Sequence, residues 1–226
     1  MNPIERIISL FTPYDCLICN QEGEILCKEC AELLPRQTEV CFICGRVSAN
    51  CKTCPQCVSR NKPQHVWSSF VYKGNVKAIV KSYKFEGARA LARIMAMQMD
   101  GSLPYFAQSP IITFVPTAPN RHRQRGFDHA RLLAKELAKL RKWQFAELLV
   151  RRSKVRQLGA KREIRQKQLK DAFWSVERQI TKGAHVLLID DVVTTGATLE
   201  ACSKQLIKAG VAQVDALTFA RTPKSK

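Results

Sequence analysis

Residues 186–198 read VLLIDDVVTTGAT, and this stretch decides the fold of the chain. Its first four residues form an apolar run typical of a buried strand, and two carboxylates, Asp190 and Asp191, follow at once. A turn of small and hydroxyl-bearing residues comes next, and a helical pattern begins at Gly196. In open α/β sheets ligands bind where such strands end, and the N–H groups of a helix amino terminus bind phosphate. The stretch therefore predicts a phosphate site in an α/β fold.

The residues of this turn offer different groups to a ligand. Gly196 has no side chain, so the backbone can approach an anion closely there. Asp190 and Asp191 would repel a phosphate, but they suit hydrogen bonds from sugar hydroxyls or a bound Mg²⁺. The alternative is a capped helix that follows an exposed acidic pair, and the unbroken thirteen-residue string disfavours it.

Strand and helix patterns alternate on both sides of the turn. The strand-like segments are residues 66–72, 111–115, 145–150, 185–189 and 214–219. The helical segments are residues 76–83, 88–99, 126–140 and 196–209, and residues 151–170 read as a basic loop that runs into a helix. Such alternation predicts a parallel sheet with helices on its faces.

Nine of the ten cysteines lie between residues 16 and 57, mostly as CxxC pairs. A CxxC turn places two thiolates on one side of a tight knuckle, as tetrahedral zinc requires. The short gaps favour sequential pairing into two four-cysteine sites, one with Cys16, Cys19, Cys27 and Cys30 and one with Cys41, Cys44, Cys54 and Cys57. Interleaved pairing and a role for Cys51, which also forms a CxxC with Cys54, stay open.

Disulfides and an iron–sulfur cluster are the alternatives for these cysteines. Neighbouring CxxC pairs, an odd thiol and the lack of a secretory signal pattern in residues 1–13 disfavour disulfides. About sixty residues bury little apolar surface, so we expect two structural Zn²⁺ ions to fold this segment. The predicted domains are a double zinc ribbon, residues 1–60, and an α/β domain, residues 61–226.

The charge of the chain is strongly positive and unevenly spread. The 226 residues carry a formal net charge of +18, and residues 121–170 alone hold 17 basic and 4 acidic side chains. Such a field attracts nucleic acid or phosphorylated small molecules, although a solvated basic surface is the alternative. No apolar run reaches about 18 residues, so we expect no membrane span. The P-loop ATPase motif is also absent from the sequence.

The turn at residues 186–198 resembles the phosphoribosyl pyrophosphate signature of type I phosphoribosyltransferases. The resemblance implies that Asp190 and Asp191 hold the 2′ and 3′ hydroxyls of the ribose. It also implies that the 5′-phosphate is wrapped by Thr194, Thr195, Gly196, Ala197 and Thr198. We therefore expect the parallel sheet of that fold, flanked by helices, behind a small double zinc ribbon, with Mg²⁺ accompanying the phosphoribosyl pyrophosphate.

Over nearly its whole length the chain resembles the ComF family of bacterial competence proteins. Further matching pieces are Tyr72-x-Gly74, Lys84-Phe85-x-Gly87, Val115-Pro116, Arg125-Gly126-Phe127, Arg151-Arg152 and Ala220-Arg221-Thr222. The resemblance places the pyrophosphate at the loop that contains Thr117 and Ala118. It makes residues 151–165, with Arg162 and Arg165, a loop that closes over the substrate. Asp128 stands where the family carries Asn, which adds a negative charge near the expected anion site.

The resemblance implies a function in natural competence. The chain would bind incoming single-stranded DNA on the cytoplasmic side, with proteins of the competence machinery as partners. One alternative is an active phosphoribosyltransferase that uses a base or amine, although no residue set identifies the acceptor. Another is a non-catalytic sensor of a phosphoribosyl ligand. A glutamine-using amidotransferase is disfavoured, because Asn2 follows Met1 where such an enzyme needs a cysteine.

Overall fold

The computed structural model describes residues 14–85, 90–151, 172–176 and 179–223. The strands, in chain order, are β1 (Tyr14–Asp15), β2 (Glu22–Gly23), β3 (Val66–Val71), β4 (Ile111–Phe114), β5 (Leu149–Arg151), β6 (Phe173–Ser175), β7 (His185–Val193) and β8 (Gln213–Arg221). The helices are α1 (Lys28–Glu32), a 3-10 turn (Ala49–Cys51), α2 (Gly74–Phe85), α3 (Leu91–Asp100), α4 (Pro119–Arg125), α5 (His129–Arg141) and α6 (Ala197–Lys208).

The central sheet has four parallel strands in the order β3-β8-β7-β4. Ile112 of β4 pairs with Leu187 of β7, and Leu188 of β7 pairs with Ala216 of β8. Because all four strands run the same way, their carboxyl ends share one edge of the sheet. The predicted parallel sheet flanked by helices is confirmed, and the loops after β4 and β7 are neighbours.

Each face of the sheet has its own hydrophobic cluster. Leu187 and Ile189 of β7 pack with α2, α3 and α5, whereas Val186 and Leu188 pack with α6 and β6. This division follows the alternation of side chains along a strand. Each such fully buried aliphatic side chain stabilises the fold by about 1.5–3 kcal/mol.

Three elements differ from the sequence expectation. The strand predicted at residues 145–150 is limited to β5, residues 149–151, which pairs antiparallel with β6 in a separate two-stranded sheet. The predicted helix at residues 126–140 begins at His129, and a separate helix, α4, precedes it. Pro119 stands at the first turn of α4, where a proline starts a helix as readily as it ends a strand. Strand β7 continues to Val193, so Asp190 and Asp191 still lie within the sheet rather than after it.

The cysteine-rich segment packs against both clusters. Cys16, Leu26 and Cys30 join the cluster of α2, α3 and α5, and Phe42 joins the cluster of α6. The division into residues 1–60 and 61–226 stays a prediction. Among the described residues, no helix combines the length and the apolar character needed to cross a lipid bilayer.

Candidate functional site

Asp190 and Asp191 lie near the carboxyl end of β7 and face opposite sides of the sheet. Asp191 is 5% exposed, and its Oδ1 lies 2.8 Å from Lys84 Nζ while its Oδ2 lies 4.0 Å from His129 Nε2. Asp190 lies on the other side, where its charge reaches Cys202 of α6. Its Oδ1 accepts the backbone N–H of Asp191 at 2.9 Å. Burial, and then the charge of Asp191, raise the pKa of Asp190 well above its ordinary value.

Lys84 is a counter-charge of this acidic pair. It lies in the last turn of α2, and its positive charge acts to lower the pKa of Asp190. The preceding residue, Tyr83, donates its hydroxyl to the carbonyl of His129 at 2.8 Å, which ties α2 to α5. The motif that contains Lys84 predicts no role for it, because only the folded chain brings residue 84 to residue 191.

The turn after β7 presents the amino terminus of α6 at this edge. Thr194 and Thr195 are exposed, and Gly196 has a φ of +81°, where a side chain costs about 1–2 kcal/mol. The carbonyl of Gly196 accepts the N–H of Glu200 at 2.9 Å, and Thr195 Oγ1 accepts the N–H of Ala197 at 3.4 Å. The N–H groups and partial positive charge of this helix end favour an anion.

The loop after β4 lies beside this turn. Val115 donates its N–H to the carbonyl of Ile189 at 2.9 Å. Thr117 donates its N–H to Asp128 Oδ2 at 2.7 Å, and Asp128 Oδ1 accepts the N–H of Arg131 at 3.2 Å. Asp128 therefore caps α5 and holds the Thr117–Ala118 loop with the same carboxylate. The sequence predicted only an added negative charge at Asp128, not these two contacts.

The segment expected to close over the ligand, residues 151–165, falls mostly outside the described residues, and so do Arg162 and Arg165. The described part ends at Arg151, whose guanidinium lies 5.0 Å from the centre of the Phe173 ring. A cavity of about 550 Å³ opens between β4, α5 and β5, and its lining includes Pro116, Asp128, Arg131, Lys135, Glu147 and Arg151. Arg131 Nε lies 2.8 Å from Glu147 Oε1 at its wall. The cavity thus carries charges of both signs beside the loop after β4.

The eight predicted zinc ligands form two tetrads, Cys16, Cys19, Cys27 and Cys30 and then Cys41, Cys44, Cys54 and Cys57, with the ligand atoms of each within 4.8 Å of one another. The sulfurs of Cys19 and Cys27 are 3.8 Å apart, and those of Cys44 and Cys54 are 3.6 Å apart. A tetrahedral zinc ion with Zn–S bonds of about 2.3 Å places its sulfurs about 3.8 Å apart. Both tetrads therefore suit structural zinc. Cys51 is buried but belongs to neither tetrad. All ten cysteines lie in described segments, and none of them forms a disulfide.

Each tetrad holds a thiol whose pKa neighbouring donors lower and another, Cys30 or Cys57, whose pKa burial and the neighbouring thiols raise to about 12. Burial raises the pKa of Cys16, but hydrogen bonds from the N–H groups of Cys19, Cys27 and Ile18 outweigh it and lower the pKa to about 6. Arg46 lowers the pKa of Cys44 to about 6 through side-chain and backbone hydrogen bonds. Because cysteine binds metal as the thiolate, these donors favour metal binding.

Comparison with known proteins gives a consistent picture. Residues 124–226 match the phosphoribosyl transferase domain. DNA utilization protein YhgH of Salmonella typhimurium is 28% identical, over 94% of this chain and 99% of that protein. Competence protein ComFC of Bacillus subtilis is 27% identical, over 92% and 95%. Competence protein ComFC of Streptococcus pneumoniae is 24% identical, over 91% of both chains.

Solved structures of similar fold include two enzymes. The structure of the allosteric regulatory enzyme of purine biosynthesis aligns with a TM-score of 0.39 and 16% identity, over 58% of this chain and 25% of that one. Adenine phosphoribosyltransferase from Leishmania tarentolae aligns with a TM-score of 0.36 and 18% identity, over 69% and 67%. The chain thus spans a quarter of the first enzyme, and both likenesses concern the fold alone.

Proposed function

This chain is a homologue of the ComFC and YhgH proteins with a phosphoribosyl transferase domain, and on that premise we propose that it binds phosphoribosyl pyrophosphate or a related phosphate ligand and handles single-stranded DNA. One observation carries the proposal. The acidic end of β7, the left-handed Gly196 at the start of α6 and the loop after β4 meet at one edge of the sheet. A sugar phosphate needs these three groups together.

Each part of the site has a proposed task. The turn from Thr194 to Thr198 binds the 5′-phosphate through N–H groups and hydroxyls. Asp190 and Asp191 accept hydrogen bonds from the ribose hydroxyls. The backbone of Thr117 and Ala118 faces the pyrophosphate, and the basic loop with Arg162 and Arg165 closes over it.

Two kinds of metal belong to the proposal. The cysteine tetrads each hold one structural Zn²⁺ and, with four protein ligands, leave no open position for catalysis. Mg²⁺ enters with the diphosphate, because it prefers phosphate and carboxylate oxygens and keeps much of its water. When bound, it offsets the negative charge of the diphosphate. Asp190 and Asp191 supply the carboxylate oxygens near the end of β7 that would hold such a cation.

The proposed second ligand, single-stranded DNA, is supported by charge and by the names of the relatives. Residues 121–170 hold 17 basic side chains, and Arg121 and Arg123 of α4 are exposed. Trp174 of β6 is 47% exposed, and an exposed indole can stack on a base. Phe173, by contrast, is 1% exposed and belongs to the core. We place this activity on the cytoplasmic side, where the competence machinery would supply the strand.

Calorimetric titration with phosphoribosyl pyrophosphate and Mg²⁺ tests the first ligand. We expect the wild-type chain to bind, and Asp190→Asn combined with Asp191→Asn to lose most of the affinity, because amides do not replace charged acceptors. Glu24→Gln combined with Glu32→Gln, at two exposed side chains, controls for the removal of two carboxylates. A wild-type chain with full zinc content and no heat of binding would contradict the proposal.

Salt-dependent binding tests the second ligand. The logarithm of the affinity for an oligonucleotide should fall linearly with the logarithm of salt concentration. Reversing Arg151, Arg152, Lys154 and Arg156 to Glu should weaken binding strongly. Reversing four exposed lysines elsewhere, Lys28, Lys52, Lys204 and Lys208, is the matched control. Equal effects of the two sets would mean that net charge alone attracts the strand.

The cavity between β4, α5 and β5 favours a second candidate function, transfer of the phosphoribosyl group to a nitrogen acceptor. A bond from the anomeric carbon to nitrogen would form as the bond to the pyrophosphate oxygen breaks, and the nitrogen would lose a proton. A screen of bases and amines for pyrophosphate release tests it. Tight binding without release for any acceptor would leave the binding function alone.

A further inference from the structure

The second cysteine knuckle packs directly on the phosphate-binding turn. Phe42, which follows Cys41, is 1% exposed. A Cβ atom built on Gly196 would lie 2.5 Å from Phe42 Cε2 and 2.6 Å from Phe42 Cδ2, closer than any real contact. The ring therefore fills the volume that a side chain at residue 196 would need. Glycine is required there for two reasons: its φ of +81° disfavours other residues, and the Phe42 ring leaves no room for a side chain.

The knuckle is itself held by the end of the sheet. Arg221, the last residue of β8, is 5% exposed and donates from its guanidinium to the carbonyls of Cys41 at 3.3 Å and Phe42 at 3.4 Å. Arg221 pairs with Val193 in the ladder between β7 and β8, and Val193 comes just before the turn. The knuckle, the ends of these two strands and the turn thus form one packed unit.

We propose that Phe42 is a positioning residue of the phosphate-binding turn and that Arg221 fixes the knuckle that carries it. The second tetrad then does more than fold its own segment, because it holds a wall of the ligand site. The inference rests on the proposed function in one respect, that the turn binds a phosphate. Residues in packed contact have few alternative arrangements, so loss of the ring frees the turn.

The first knuckle supplies a matched control. Leu17 follows Cys16 as Phe42 follows Cys41, but it packs against the cluster of α2, α3 and α5 rather than that of α6. Phe42→Ala and Leu17→Ala therefore make the same kind of change in the two knuckles. Only the first change removes a neighbour of Gly196.

Three measurements on the full zinc-loaded chain test the proposal. These are zinc content, hydrogen exchange of the amides of residues 194–198, and calorimetric affinity for phosphoribosyl pyrophosphate with Mg²⁺. We expect Phe42→Ala to keep its zinc, to exchange faster in the turn and to lose affinity on the order of tenfold. Phe42→Leu should recover most of the slow exchange in the turn and most of the affinity. Leu17→Ala should change neither the exchange nor the affinity.

The possible results distinguish the proposed ligand binding from the positioning role of Phe42. A wild-type chain that does not bind the ligand contradicts the proposed function, while the exchange comparison still decides the role of Phe42. Wild-type exchange and affinity in a folded, zinc-loaded Phe42→Ala variant would overturn the positioning role. If Phe42→Ala does not fold, Phe42→Val, which removes more of the side chain than Phe42→Leu does, takes its place in the same comparison.

A double-mutant cycle tests the contact itself. Gly196→Ala meets the Phe42 ring in the wild-type chain, whereas in the Phe42→Ala background the clashing ring atoms are gone and only the backbone strain remains. We expect Gly196→Ala to accelerate exchange in the turn by a smaller factor in the second background than in the first. Equal factors in the two backgrounds would show that the ring does not constrain residue 196.

Discussion

At the scale of single residues, the charges around β7 decide which ligand the edge of the sheet can hold. A carboxylate that is 5% exposed, as Asp191 is, has lost most of its water, and Lys84 replaces part of that solvation at 2.8 Å. The same lysine opposes the burial and the neighbouring charge that raise the pKa of Asp190. The fold thus places a lysine beside two adjacent acidic groups at the proposed phosphate site.

Replacing Lys84 tests this compensation. We expect Lys84→Met to raise the pKa of Asp190 further, so that this carboxyl gains its proton at a higher pH than in the wild type. The affinity for phosphoribosyl pyrophosphate with Mg²⁺ should then fall more steeply in the variant than in the wild type as the pH is lowered. Lys84→Arg should restore the wild-type slope. Parallel pH profiles of wild type and Lys84→Met, measured by calorimetry, would contradict this role.

Asp215 allows a prediction about acid stability at the opposite edge of the sheet. Burial raises its pKa, but hydrogen bonds from His185 at 2.7 Å, His65 at 3.0 Å and Gln213 at 2.8 Å outweigh burial and hold the pKa at about 2. Because this lies below the ordinary 3.8, the stabilisation is present above about pH 4 and is lost as the pH falls towards 2.

Asp215→Asn should therefore lower the free energy of unfolding at pH 7 by about 2 kcal/mol. The variant should also lose less stability than the wild type between pH 4 and pH 2, since the titrating group is gone. Urea unfolding at several pH values measures both effects. An unchanged free energy of unfolding at pH 7 would show that the hydrogen bonds to Asp215 add no net stability.

At the scale of elements, Asp128 joins the start of α5 to the loop after β4. Asp128→Ala removes the helix cap and the acceptor for the Thr117 N–H, and we expect a loss of about 2 kcal/mol, about half from each contact. Asp128→Asn keeps one acceptor oxygen and should lose about half as much. Urea unfolding of the wild type and the two variants measures their free energies of unfolding and checks the expected order. An Asn variant as unstable as the Ala variant would mean that the negative charge of Asp128, rather than its two hydrogen bonds, stabilises the folded chain.

At the scale of the whole molecule, the two cysteine tetrads and the sheet share their hydrophobic clusters. Leu26 completes the cluster of α2, α3 and α5, and Phe42 completes that of α6. Removal of zinc from the reduced chain by a chelator should therefore lower the melting temperature of the sheet as well, by on the order of 10 °C. Circular dichroism follows the transition, and re-addition of Zn²⁺ should restore it. A sheet that melts at the same temperature with and without zinc would show that the segments fold independently.

The sequence by itself determined what depends on near neighbours. The CxxC spacing predicted two tetrads, and the apolar run, acidic pair and glycine of residues 186–198 predicted strand, turn and helix. These patterns can be recognised in the sequence because hydrophobic periodicity, thiol spacing and the backbone freedom of glycine each depend on only a few neighbouring residues. The predicted boundaries were less accurate, since the helix predicted at residues 126–140 begins at His129 and a separate helix, α4, begins at Pro119.

Only the tertiary structure decided which distant groups meet. Lys84 and Asp191 are 107 residues apart in sequence, and Arg221 reaches the Phe42 carbonyl across 179 residues. Phe42 and Gly196 likewise come from distant parts of the chain, and neither residue predicts a contact with the other. Such contacts follow from strand order and from the packing of helices and knuckles on particular faces of the sheet. Since close packing is a property of the assembled core and not of any local segment, it leaves no short-range pattern in the sequence.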